Sequence, residues 1–321
     1  MALPRTDPDQ RYWRMPLSLP AGEGMTFSSL AGVRIGVLGA SSPVGQCLAA
    51  RLALLGAAVL AYDRQRAAAE LGAEAASQGA LPQAQSPVPL WISAAPLWVV
   101  PNYLPALAQC GAEQLIALSS TSAVTKATSL DPTERQVAAQ LSAAEAAIIQ
   151  WADAHQVAWT LLRPTLIYGN GQDRNVAVIA RFVRRWRFWP LVGGGCGLRQ
   201  PIHVEDVVAA VIAALQTPAA RRRTLTLTGG ETLTYRAMVT RIAAAAGVRC
   251  HFLPLPAALL SALAPHWPQL ARLLPGLPEG MIGMLLRMAR DQAFSAAETA
   301  QILPQWQPRP FVLAPNDLPK P

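Results

Sequence analysis

The chain has 321 residues, 52% of them hydrophobic and only 14% charged, so it can bury one large or two ordinary cores and is no disordered polypeptide. Its formal net charge of +8 is carried almost wholly by arginine, with lysine only at Lys126 and Lys320, a balance that suits an anionic ligand or surface. Cys47, Cys110, Cys196 and Cys250 show neither a Cys-x-x-Cys spacing nor a neighbouring histidine pair, which argues against a metal site or a disulfide framework and makes a reducing cytoplasm the expected compartment.

Residues 1–30 are rich in Pro, Asp, Arg and Gly without sustained periodicity and read as a disordered leader, with Met25 as an alternative start; no basic region followed by an apolar stretch marks a signal peptide. A buried strand is predicted over 33–38, a tight turn over 39–45, a helix over 46–55, a strand over 57–62 and a helix from Asp63-Arg64 to about 78. Further strands are expected at 88–93, 114–118 and 158–163, alternating with helices near 102–109 and 132–155. That alternation predicts an α/β fold, a Rossmann-type parallel sheet with helices on both faces, over 31–170. Beyond Gly169 it breaks into a basic helix over 175–187, a glycine turn at 193–195, a short strand over 201–204 and helices over 205–215 and 235–246. Residues 171–321 are therefore assigned mostly to a smaller C-terminal substrate lobe, with some segments returning to the Rossmann core. Two uncharged stretches, 75–112 and 250–271, are interrupted by prolines and do not qualify as membrane spans.

Gly39-Ala-Ser-Ser-Pro-Val-Gly45 joins a strand to a helix, where small residues let a diphosphate approach backbone N–H groups and the positive end of the helix. Asp63 follows 24 residues after Gly39, at the end of the next strand, where a carboxylate can accept bonds from ribose hydroxyls. The pattern points to a dinucleotide site formed by Gly39, Ser41, Ser42, Pro43, Val44, Gly45, Asp63 and Arg64. The cofactor expected is NAD. NADP stays possible through Arg64. A side chain at Gly39 or Gly45 is expected to abolish binding while leaving the fold.

Over about 33–315 the chain resembles the extended and atypical short-chain dehydrogenases/reductases, the NAD-dependent epimerase/dehydratase group. The resemblance rests on that glycine turn, on Leu118-Ser-Ser-Thr121, on Leu162-Arg-Pro-Thr-Leu-Ile-Tyr-Gly169, on Arg199-Gln-Pro-Ile-His-Val-Glu-Asp206 and on Gln305-Trp-Gln-Pro-Arg-Pro-Phe311. It implies that Ala94, Ala95 and Pro164 also line the cofactor, that Thr121 stands at the catalytic Ser/Thr position, and that Arg199 binds a substrate diphosphate; its alternative is an ion pair with Glu205 or Asp206. Ser42 replaces the usual middle glycine, and 64–87 leaves hardly any room for the usual extra strand. The family's Tyr-x-x-x-Lys pair is missing: counting back from Glu145 puts Val137 and Leu141 at those places. Tyr168 and Lys126 are the substitute acid/base candidates beside Thr121. His203 is read as packing.

The expected function is that of an oxidoreductase or epimerase acting on a sugar nucleotide or related carbonyl or alcohol by a non-standard proton path. The alternative is a non-catalytic dinucleotide-binding assembly or redox-sensing protein resembling the atypical accessory subunit of respiratory complex I. Arg181, Arg184, Arg185 and Arg187, interleaved with Phe182, Trp186, Phe188 and Trp189, read as a solvated helix face, an entrance for an anionic substrate, or a peripheral membrane contact. Nucleic acid is not an expected partner, and the sequence indicates no oligomeric state.

Overall fold

In chain order the elements are β1 (Arg34–Leu38), α1 (Pro43–Leu54), β2 (Ala58–Tyr62), α2 (Arg64–Leu71), β3 (Leu90–Ser93), α3 (Leu104–Gln109), β4 (Gln114–Leu118), α4 (Ser122–Thr125), α5 (Pro132–Ala154) and β5 (Ala158–Pro164). The second half holds β6 (Ile167–Tyr168), α6 (Val176–Trp186), β7 (Phe188–Val192), β8 (Leu198–Arg199), β9 (Ile202–His203), α7 (Val204–Gln216), β10 (Arg223–Leu227), β11 (Leu233–Thr234), α8 (Tyr235–Ala245), β12 (His251–Leu255) and α9 (Ala297–Ile302). This is a computed structural model, and it describes residues 30–71, 87–129, 131–173, 175–256 and 287–320. The predicted leader lies outside them.

Six strands form one parallel sheet in the order β10-β5-β4-β3-β1-β2. Parallel strands need both faces covered, which is why β1, β3 and β4 read as nearly unbroken apolar runs. Ile35, Val37, Ile92, Ile116 and Leu162 pack on Leu48 and Leu52 of α1 and on Val207 and Val211 of α7. Leu38, Trp91, Leu115 and Leu161 pack on Leu107 of α3 and on Leu141, Ala144 and Ile148 of α5. A third core joins Ile179, Phe182 and Val183 of α6 to Met238, Val239 and Ile242 of α8, with Trp189, Tyr168 and Phe311 among them.

Helix starts follow local chemistry. Ser42, Asp131 and Thr234 accept amide hydrogens at the N-termini of α1, α5 and α8, with Pro43 and Pro132 in the first turn of the first two. α6 stops where Arg187 turns left-handed, at φ 61°.

Several details differ from the sequence expectation. α1 starts at Pro43 rather than 46, because the Ser42 cap and Pro43 fix its first turn. The helix expected over 102–109 is a 3-10 turn over Leu97–Tyr103 leading into α3, since Pro101 and Pro105 cannot continue an α-helical ladder. The strand expected over 201–204 is only Ile202–His203, paired with Ile167–Tyr168. β7 and β12, which pair in parallel in the smaller lobe, have no counterpart in the expectation. β10 and α7, from the second half of the chain, lie in the Rossmann layers; the sequence predicts some returning segments without naming them. The continuation of α2 towards 78, the space for an extra strand over 72–86, and most of the uncharged stretch 250–271 lie outside the described residues. Among the described residues no helix is long and apolar enough to cross a membrane.

Candidate functional site

β2 lies on one side of β1 and β3 on the other, so the strand order reverses there and a crevice opens beyond their carboxyl ends. The turn after β1 lines it. Gly39 has φ +75°, and a methyl carbon built on it would stand 2.6 Å from Ala95 Cα; one on Gly45 would stand 2.9 Å from Ala40 Cα. Gly39 is thus required by the close approach of the backbone after β3 and Gly45 by that of the turn itself, which corrects the expectation that side chains there would spare the fold.

The amides of Gly39 and Ala40 both donate to the Tyr62 carbonyl, at 2.9 and 3.1 Å, and the Ser42 amide donates to Gly39 O at 2.9 Å. Ser42 Oγ accepts from the Gly45 amide at 3.0 Å and donates to the Ala94 carbonyl at 3.2 Å. Pro43 has no N–H. The amides of Ser41 and Val44 are what the turn leaves for a diphosphate, a smaller donor set than a glycine at position 42 would give. Across the crevice, Asp63 Oδ1 accepts from the Arg66 amide at 2.8 Å, which caps α2 and leaves Oδ2 for another donor. Asp63 and Arg64 are both exposed. Arg66 lies over the Tyr62 ring at 5.0 Å and bonds Glu70 at 2.9 Å. An adenosine ribose fits this donor and acceptor set.

β4 and β5 bring the second half of the site together. Thr121 is buried, and its hydroxyl donates to the Pro164 carbonyl at 3.2 Å, so its proton is engaged while its lone pairs remain available. One short helix later, Lys126 Nζ lies 3.6 Å from Glu134 Oε1. Burial and the charge of Arg287 lower the Lys126 pKa. Glu134 also accepts from Ser129 Oγ at 2.7 Å and pairs with Arg287, so α5 is tied to the segment at 287–290.

Val137 is half-buried and Leu141 buried, both packed in the core between α5 and the sheet. Nothing in those two side chains can carry a proton. The buried polar group that α5 does supply is Glu145, which accepts from Ser119 Oγ at 2.5 Å and from Arg163 Nε at 2.8 Å. Sequence reasoning used Glu145 only as a ruler. An acid inside the buried stripe Leu141, Ala144, Ile148, with Arg163 closing the neighbouring strand, was the available signal. Arg287 carried none.

Tyr168 and Arg199 sit elsewhere. The Tyr168 ring is sealed between His203 and Phe311, and its hydroxyl donates to Val312 O at 3.2 Å. Burial, then Asp317 and Asp206, push its pKa well above the usual phenol value. Arg199 is 3% exposed; Nη1 donates to the carbonyls of Leu198 and Arg290 at 2.7 and 2.8 Å and Nη2 to that of Arg287 at 2.7 Å. Glu205 and Asp206 pair with Arg309 instead, each at 2.9 Å. His203 Nε2 bonds Asp317 Oδ1 at 3.0 Å, holding the chain's last segment against β9.

Residues 99–226 match the sequence profile described as the NAD dependent epimerase/dehydratase family. The match covers the middle of the chain. It runs through β4, Thr121, Glu145, the β5 motif and the Arg199 motif, and it begins after the glycine turn and Asp63. For the epimerase-type fold as a whole the solved structures speak. An epimerase from Methanothermobacter thermautotrophicus superposes with a TM-score of 0.62 at 15% identity, covering 90% of each chain. UDP-glucose 4-epimerase from Thermotoga maritima, solved with UDP-glucose, gives 0.60 at 15% identity over 86% of this chain and 93% of its own. The Thermus thermophilus enzyme, complexed with NAD, gives 0.54 at 21% identity over 70% and 86%. A curated relative is the mitochondrial NADH dehydrogenase [ubiquinone] 1 alpha subcomplex subunit 9 of Arabidopsis thaliana, 35% identical over 88 residues, which are 27% of this chain. The match spans a fifth of that relative's length, 20%.

Proposed function

We propose that the protein binds NAD(H) in the crevice between β1 and β3 and performs dehydrogenase- or epimerase-type chemistry on a carbonyl or alcohol of a sugar nucleotide or similar anionic molecule. The observation that carries the reading is the switch-point turn, where Gly39 and Gly45 admit no side chain, the Ser41 and Val44 amides are left without a partner in the turn, and the exposed carboxylate of Asp63 stands at the end of β2. NAD held there would supply hydride transfer. The chain's own contribution is to hold the diphosphate at the turn, to receive ribose hydroxyls at Asp63, and to accept a substrate hydroxyl at Thr121 Oγ1. Lys126, whose pKa burial and the Arg287 charge lower, is the titratable side chain closest in sequence to Thr121 and the candidate proton carrier.

A second reading, nucleotide binding without turnover, is favoured by Val137 and Leu141 at the acid/base positions and by the commitment of Tyr168 and Arg199 to main-chain carbonyls. The complex I subunit relative points the same way.

Calorimetry should give tighter binding for NAD(H) than for NADP(H), because Asp63 repels a 2′-phosphate; tenfold tighter NADP(H) would refute the assignment. A panel of sugar nucleotides and small carbonyl compounds then separates the two readings. Turnover lost in Thr121→Val and Lys126→Met but kept in Tyr168→Phe supports the first. Clear NAD(H) binding with no turnover on the whole panel establishes the second.

A further inference from the structure

We propose that the face of the smaller lobe formed by the end of α6 and by β12 docks on an anionic lipid surface. This goes beyond nucleotide binding and does not depend on it.

The lobe is depleted of acids. No Asp or Glu occurs from Asn175 to Val204 or from Thr232 to Pro256, while those two stretches hold arginine at 181, 184, 185, 187, 199, 236, 241 and 249. Three of these are used internally: Arg184 by the Pro319 carbonyl, Arg199 by three carbonyls and Arg241 by Glu231. Arg181, Arg185, Arg187, Arg236 and Arg249 are exposed, and among the described residues no carboxylate pairs with them.

Apolar groups stand in the same place. Trp186 is 43% exposed with the Arg185 guanidinium over its ring at 5.5 Å, and Leu253 is 50% exposed. β12 follows the end of α6, since the His251 amide donates to Arg187 O at 2.9 Å and β12 then runs beside β7, with Leu253 in register with Pro190. Arg236 covers the Phe252 ring at 4.9 Å on the same strand.

An indole and a leucine held outward among unpaired guanidinium groups match the boundary between phosphate headgroups and acyl chains, where arginines meet phosphates while the indole takes the interfacial depth. The apolar contribution is small, so attraction should come mainly from charge, giving reversible and salt-sensitive attachment.

Sedimentation with large vesicles tests this. The full chain should pellet with vesicles of phosphatidylcholine containing one third phosphatidylglycerol, not with phosphatidylcholine alone, and should be released by added salt. Each surface arginine is worth about a fivefold change in partitioning, so Arg181→Gln/Arg185→Gln should bind at least about tenfold more weakly. Trp186→Ala should weaken it further. Melting temperature and NADH affinity, unchanged in these variants, show that fold and nucleotide site are intact. Equal pelleting of variant and wild type, or no pelleting of folded wild type with anionic vesicles, overturns the proposal. Capture on immobilised polyglutamate without vesicle binding would also overturn it and assign the face to an acidic protein.

Discussion

Replacing Ser42 with glycine should make the protein slightly less stable and its nucleotide site tighter. Ser42 Oγ holds the Gly45 amide at 3.0 Å and the Ala94 carbonyl at 3.2 Å. Glycine at an N-cap costs only a few tenths of a kcal/mol relative to serine, and a neutral hydrogen bond is worth about 1 kcal/mol, so the variant should lose roughly 1–1.5 kcal/mol. The backbone tolerates the change, since Ser42 sits at φ −69°, ψ 155°. In exchange the Gly45 N–H becomes free to meet a phosphate oxygen. A hydrogen bond to a charged acceptor contributes about 1.5–3 kcal/mol, so NADH should bind about tenfold tighter or better. Titration of NADH against wild type and Ser42→Gly, with urea unfolding of both, measures the two effects. A folded variant that binds NADH no better than wild type would refute the claim that this side chain occupies a phosphate donor.

Gly39→Val should unfold the protein or cost at least about 3 kcal/mol, because the new Cβ meets Ala95 and a β-branched residue resists φ +75°; a variant as stable as wild type in urea would show that the turn is looser than described. Asp317→Asn should flatten the acid side of the stability profile. Burial raises the Asp317 pKa, but the bonds from His203 and the Ala314 amide outweigh it and hold the carboxyl below its ordinary value. Its contribution is therefore complete above the unfolded carboxylate range and lost as pH falls through the folded pKa, in a window near or below about pH 4. Equal losses of stability by wild type and Asp317→Asn between pH 6 and 3 would contradict that account.

The Rossmann half was legible because its signals are local. Apolar runs bounded by Gly39, Asp63, Ala94 and Ser119 place β1 to β4, and the distance from Gly39 to Asp63 matches the spacing expected of a nucleotide site before any tertiary contact is known. The smaller lobe was less legible. Phe188-Trp-Pro-Leu-Val192 carries a proline and follows a basic helix, and it becomes a strand only because His251–Leu255 pairs with it from far along the chain. Partners of ionised groups were the least accessible. The order Arg199, Glu205, Asp206 suggests an ion pair among neighbours, whereas Arg309 takes the two acids and carbonyls at 287 and 290 take the arginine. A short motif shows which groups are charged but not which distant backbone will reach them.

The position of β10 at the edge of the six-stranded sheet bears on how the chain is made. β5 is finished at Pro164, but its outer hydrogen-bonding edge waits for Arg223–Leu227, and the face under Ile116 and Leu162 waits for Val207 and Val211. During synthesis the first half therefore leaves the ribosome with an unpaired apolar strand edge and a bare face for some sixty residues. The closing segment comes last, when Trp306 Nε1 donates to Asp206 O at 2.8 Å and Arg309 clasps the start of α7. A fragment cut after Gly169 would be a sticky half-sheet rather than a nucleotide-binding domain, and this nascent chain is a natural client for chaperones until its C-terminus emerges.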